Sequence, residues 1–152
     1  MIEPQLAAFL EEGLSLHIGT RDGSLQPLGG RVSAVKVEAG GRHLVAYVPE
    51  AAFSRLRSNL ESNGLAAISF GRPVDDRACQ VKGSVIDVRP ATEGERELVA
   101  TQWDGFMRQL EMIGIPRAVA GGWSSWPAVA VTLKVTAVFE QTPGPQAGVP
   151  IS

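Results

Sequence analysis

Leu14-Ser15-Leu16-His17-Ile18-Gly19-Thr20, followed at once by Arg21-Asp22-Gly23-Ser24, sets the fold class. Leu14, Leu16 and Ile18 alternate with Ser15, His17 and Gly19, the period-2 pattern of a half-buried strand. The four residues after Thr20 are tight-turn residues between strands. Working outward, Gly30–Glu38 reads as a second strand, with Val35 and Val37 on one face and Lys36 and Glu38 on the other. Ala39-Gly40-Gly41-Arg42 turns it into a third strand, His43–Val48. Leu65–Phe70 and Arg77–Val88 add two more around a Gly71-Arg72-Pro73 turn, with Pro90 breaking the second. Ala128–Glu140, dense in valine, is the last.

Helices fall between these strands. Pro4–Glu12 carries Leu6, Phe9 and Leu10 on one stripe and stops at Gly13. In Pro49–Asn63 the period changes: Phe53, Leu56 and Leu60 recur at helical spacing, and Asn63-Gly64 suits a left-handed cap. Thr92–Gly114 is the longest candidate. It has Thr92 as N-cap, Glu93, Glu95 and Glu97 at the positive end of the helix dipole, and an apolar face of Leu98, Val99, Trp103, Phe106, Leu110 and Ile113. Strands dominate and helices connect them. The expected fold is therefore mainly β (α+β), an antiparallel barrel, closed or partly closed, with helices at its rims.

Composition narrows the function. The 152 residues fit one domain, 1–152, with an irregular tail over 141–152. The net charge of −2 provides no basic nucleic-acid footprint, and no apolar run approaches the ~20 residues that span a bilayer. Cys79 is the only cysteine, which excludes an internal disulfide and a multi-cysteine metal site within one chain. These features, with an acidic N-terminus, predict a cytoplasmic protein with no nucleic-acid or membrane partner and no metal. The dinucleotide GxGxxG loop, the P-loop and the HExxH zinc motif are all missing.

Charge is uneven along the chain. Between Arg31 and Ser58 the net charge is +3, from Arg31, Lys36, Arg42, Arg55 and Arg57 against Glu38 and Glu50. Arginines beside hydroxyls near a helix are what a phosphate monoester needs. The same residues also suit a solvated helix face.

Three segments in this order resemble the pyridoxamine 5′-phosphate oxidase-like, FMN-binding split-barrel superfamily. Arg31-Val-Ser-Ala-Val-Lys36 resembles the Arg-x4-Lys strand that lines the flavin. Ser54-Arg55-Leu56-Arg57-Ser58-Asn59-Leu60-Glu61-Ser62-Asn63 is similar to the Ser-Arg-Lys-x3-Leu-x2-Asn helix. Arg77-Ala-Cys-Gln80-Val-Lys82-Gly83 is similar to the Arg-x2-Gln-x-Lys-Gly strand. The resemblance covers roughly residues 10–90, and the ending Phe139–Gly148 is similar to the tail of a less characterised branch. It implies a split β-barrel homodimer with two FMN sites at the interface, a small-molecule ligand and oxidoreductase-like chemistry. First-choice ligands are Arg31, Ser33, Ser54 and Arg55, with Gln80 and Lys82 second and with Lys36 and Arg57 completing the candidate set. No catalytic residue stands out.

One position departs from the pattern. The family's phosphate lysine falls on Leu56. Losing a charge-assisted contact of ~1.5–3 kcal/mol weakens binding roughly ten- to a hundred-fold, and Leu56→Lys is expected to restore it. This departure, with the apolar Ala51-Ala52-Phe53 turn, motivates two alternatives: a non-enzymatic ligand-binding or sensor dimer with a degraded phosphate site, and a haem-handling relative using His17 or His43. Trp103 and Phe106 fit either core packing or a pocket wall. The Trp123–Trp126 loop fits a core cap, a pocket lid or a dimer contact.

Overall fold

In a computed structural model, which describes residues 1–151, the chain forms one seven-stranded sheet. Helix α1 (Pro4–Leu10) precedes β1 (Ser15–Arg21), β2 (Pro27–Val32), β3 (Ala34–Val37) and β4 (His43–Pro49). Then come α2 (Glu50–Asn63), β5 (Leu65–Gly71), β6 (Ala78–Pro90), α3 (Arg96–Met112), α4 (Arg117–Ala120) and β7 (Ala128–Glu140). The order is β2-β1-β5-β6-β7-β4-β3, and every neighbouring pair is antiparallel. Strands β2 and β3 lie at opposite ends of the sheet yet follow one another in the chain. The strand expected over Gly30–Glu38 is broken at Ser33, whose N–H donates to the Tyr47 carbonyl (2.8 Å). That bend lets one segment pair with β1 and then with β4, and it curls the sheet into a half-barrel.

The inner face of the curl holds the main core. Leu16, Ile18, Val35, Leu44, Val48, Ile68, Val81, Val131 and Leu133 fill it from the strands, and Phe53, Leu56 and Leu60 enter from α2. Helix α2 ends as the sequence predicts, at Gly64 with φ 64°. Outside the half-barrel, α3 covers the β3–β4–β7 side. Ala34, Val45, Tyr47, Ala128 and Ala130 pack there against Val99. The chain crosses α3 at Gly13 (φ +91°), where a Cβ would lie 2.4 Å from the Gln102 carbonyl oxygen. On the outer face of β2, β1, β5 and β6, Trp123 and Phe106 reach the Arg31 end, and Lys82 at the other end is exposed.

Polar side chains fasten α3. Gln102, 6% exposed, accepts the Val35 N–H through Oε1 (3.0 Å) and donates Nε2 to the Val35 carbonyl (2.7 Å). Glu11 accepts the Val37 N–H (2.6 Å). The edge of β3 is thereby satisfied by side chains in place of another strand. At the start of α3, Glu95 binds Arg89 (2.7 and 3.0 Å), accepts the Thr92 N–H (2.9 Å) and accepts the Tyr47 hydroxyl (2.5 Å).

Two further sequence expectations change. The helix expected over Thr92–Gly114 begins as a tight turn at Glu93–Glu95, and the short α4 follows it. The tail folds back: the Gly148 N–H reaches the Glu140 carbonyl (2.7 Å), and the Ile151 N–H reaches the Val138 carbonyl (2.9 Å). No helix among the described residues is long and apolar enough to cross a membrane.

Candidate functional site

Register fixes which outer-face side chains meet. The ladders join Arg31 to His17, His17 to Ser69, Ser69 to Gln80 and Gln80 to Phe139 in one cross-strand row. The next row is Gly29, Gly19, Ala67, Lys82 and Ala137. Gly29, Gly19 and Ala67 make a low floor there, and Lys82 at its edge points its Nζ to within 4.7 Å of the Phe139 ring centroid. Arg31 and Gln80 share a face but lie three strand spacings apart, roughly 14 Å. Gln80 donates to the Ser69 hydroxyl (3.3 Å).

The segment Trp123–Pro127 runs across three of the sequence-predicted residues. Arg31 lies 4.0 Å from the Trp123 ring centroid and 5.5 Å from that of Phe106, and the two rings are near parallel. The Ser33 hydroxyl donates to the Ser125 carbonyl (2.9 Å). Ser54 lines a shallow cleft of about 420 Å³ with Glu50, Ala51, Ser124 and Pro127. The structure thus brings Arg31, Ser33 and Ser54 along one loop. Gln80 and Lys82 lie on the open sheet face, and Lys36, Arg55 and Arg57 are exposed elsewhere. Trp123 covers Arg31, whereas Trp126 packs with the Val99 cluster. Phe106 belongs to a small core with Met107, Leu110 and Ala120, and its ring also faces Arg31.

Arg31 is the unusual member. Its Nη1 is buried and has no hydrogen-bond partner. Burial lowers its pKa, although a guanidinium still stays protonated. An orphaned donor costs on the order of 1–3 kcal/mol, and an incoming acceptor reaches this buried atom only if Trp123 moves off it. His17 is pushed below its ordinary value by desolvation and then by the Arg31 charge, which favours neutral imidazole. His43 lies four strands away in the sheet order, against Glu38 (3.2 Å).

The start of α2 does not form a phosphate cradle. Its first turn carries the acidic Glu50, whose N–H is taken by the Pro127 carbonyl (3.0 Å). The Ser54 hydroxyl donates to the Ala51 carbonyl (2.9 Å). Leu56 is fully buried in the main core, and its Cδ1 lies 3.2 Å from where a Cβ on Gly30 would stand. A lysine at 56 would enter hydrocarbon, so Leu56→Lys costs several kcal/mol of stability before it can report on affinity. These residues do not fit the phosphate of FMN.

Trp123, Ser125 and Gln102 are the site residues that the sequence did not assign to Arg31, Ser33 and Val35. Sequence distance hides them, since 92 residues separate Ser33 from Ser125. The only signal was a pair of large aromatics in a loop.

This architecture is a split-barrel fold, shared with solved structures of low sequence identity. An F420 reductase superposes with TM-score 0.58 at 19% identity, covering 86% of this chain and 93% of that one. An FMN-binding protein from Syntrophomonas wolfei superposes with TM-score 0.55 at 13% identity, covering 96% and 84%. A pyridoxamine 5′-phosphate oxidase candidate from Lactobacillus delbrueckii gives 0.55 at 14% identity, covering 90% and 93%. No protein-family model matches the sequence, and no curated protein sequence matches it.

Proposed function

We propose that this chain is a ligand-binding split-barrel protein that takes the planar ring portion of a flavin-class molecule at Arg31 and has lost the phosphate anchor. The observation that carries it is Leu56, fully buried against Gly30 and Ala52 where the resemblance expects a phosphate-binding lysine. The neighbours named as an FMN-binding protein and an F420 reductase support the flavin class of ligand. The outer face carries Gln80 and Lys82 beside the Trp123-covered Arg31, and Met112, Ile113, Val119 and Trp123 expose 41–74% of their surface. A second copy would cover such a surface, as the resemblance implies, and would make the protein a homodimer.

Parallel titrations of the purified protein with FMN and riboflavin test the reading, with sedimentation velocity for the dimer. Affinities within about threefold of each other are expected, since the phosphate adds no favourable contact. FMN binding more than about tenfold tighter than riboflavin refutes the loss of the anchor. Uptake of neither refutes the flavin class. The neighbours' names favour a second reading, an FMN-dependent oxidoreductase, which requires that tenfold preference for FMN.

A further inference from the structure

Strand β6 outlasts its neighbour. Its ladder with β5 ends at Ser84, opposite Leu65, and the Val85 N–H then bonds to the Gly64 carbonyl (2.7 Å). From Asp87 to Pro90 the strand pairs with β7 alone among the described residues, and Ile86 is the residue skipped at the bulge. A register shift between Val85 and Asp87 bends it at that point, as a bulge does. Beside this edge lies a cleft of about 340 Å³, walled on its far side by Phe53, Arg57, Leu60 and Glu61 of α2. Val85 and Val129 also line it. Ile86 and Val88 are 53% and 43% exposed.

Charge at the rim is asymmetric. Arg89 is committed to Glu95 (2.7 Å). Arg57 has no ion pair or hydrogen bond among the described residues, and it rests 5.3 Å from the Phe53 ring centroid. Glu61 stands one helical turn further on.

We propose that the free edge of β6 and the facing side of α2 form a docking groove for an extended peptide segment, apolar at alternate positions and carrying an acidic residue that pairs with Arg57. Unpaired strand N–H and C=O groups are satisfied most completely by another strand. Alternate apolar side chains of that strand would enter the cleft against Leu60, Val85 and Val88. Four edge residues span ~13 Å, enough for a segment of about four residues. The acidic residue belongs at Arg57 and away from Glu61. Asp87 and Pro90 keep the edge short, which limits pairing to such a segment. The groove is separate from the Arg31 site, so this proposal stands or falls independently of the flavin reading.

Fluorescence anisotropy with a dye-labelled hexapeptide, Glu-Val-Thr-Val-Thr-Val, tests it on the full chain. Saturable one-to-one binding with Kd on the order of 10⁻⁵ to 10⁻⁴ M is expected. Arg57→Glu, on the exposed side of α2, should weaken it at least fivefold, and Val88→Lys at least tenfold. Bound peptide should slow amide exchange between Ile86 and Arg89. Absence of saturable binding overturns the proposal, as does binding that both variants leave unchanged. Displacement of the peptide by decanoate, with no amide protection from the peptide, assigns the cleft to a small amphiphile and also overturns it. Concentration-dependent self-association abolished by Val88→Lys assigns the edge to a second copy, with the same consequence. If Val88→Lys fails to fold, Arg57→Glu and the exchange measurement decide the matter alone.

Discussion

Replacing Gln102 by leucine is the sharpest probe of how α3 is held to the half-barrel. The two side chains are close in size, so little cavity or overpacking results. The change removes both hydrogen bonds to Val35, at 3.0 and 2.7 Å, and leaves a buried N–H and a buried carbonyl without partners. Each orphaned group costs on the order of 1–3 kcal/mol, and burying leucine there returns only part of it. The expected net loss is about 2–5 kcal/mol. For a chain of this size that lowers Tm by roughly 5–20 °C. Urea and thermal unfolding measure the loss, and amide exchange at Val35 locates it. Thr101→Leu, one residue away and exposed, is the control and should stay within about 0.5 kcal/mol of the parent. A Gln102→Leu protein that melts within two degrees or so of the parent, with the Val35 amide still protected, would refute the reasoning.

Three further outcomes are expected. Arg89, with the Thr92 and Tyr47 hydrogen bonds, holds the Glu95 carboxyl well below the ordinary carboxylate range. Its stabilisation is thus complete above the unfolded value near pH ~4.3 and fades as pH falls, so parent and Glu95→Gln stabilities should converge between about pH 5 and 2; a constant gap across that window contradicts the assignment. Burial, reinforced by Glu140, pushes the Cys79 thiol up to about 12. At pH ~8 it should ignore a thiol reagent in the folded protein and react in urea, and rapid native labelling would show that the site is open. Arg31→Met should leave stability within about 1 kcal/mol, because it removes an orphaned donor along with a cation–π contact, while it weakens riboflavin at least tenfold in the same titration; unchanged binding would place the ligand elsewhere.

Local patterns carried much of the fold. The 14–20 alternation, the Phe53–Leu56–Leu60 spacing and the Asn63-Gly64 stop each reappear as β1, α2 and its left-handed cap. Those signals are short-range, since a strand or helix shows its buried face in its own residues. The break at Ser33 was not legible, because it depends on Tyr47 drawing the chain toward β4. The return of the tail along β7 was hidden for the same reason. At the site, Arg31 and Ser33 stood out by residue type. The loop lying on them did not, because contact between residues 33 and 125 leaves no mark in either neighbourhood. Leu56 was visible as a departure, and only its burial shows that hydrocarbon fills the space.

Strand β7 is the last of the seven in chain order, yet it sits inside the sheet, between β6 and β4. Residues 128–134 pair with 43–49, so the β4 segment must wait for most of the chain before it gains this neighbour. On a ribosome, a nascent chain lacking β7 presents two open apolar strands at once, Leu44–Val48 and Val81–Val88. Completion of the sheet is therefore governed by long-range closure, which is slow. The interval before β7 emerges is when a chaperone has most to protect, and strains short of such help should lose yield of this protein to aggregation before they lose its stability once folded.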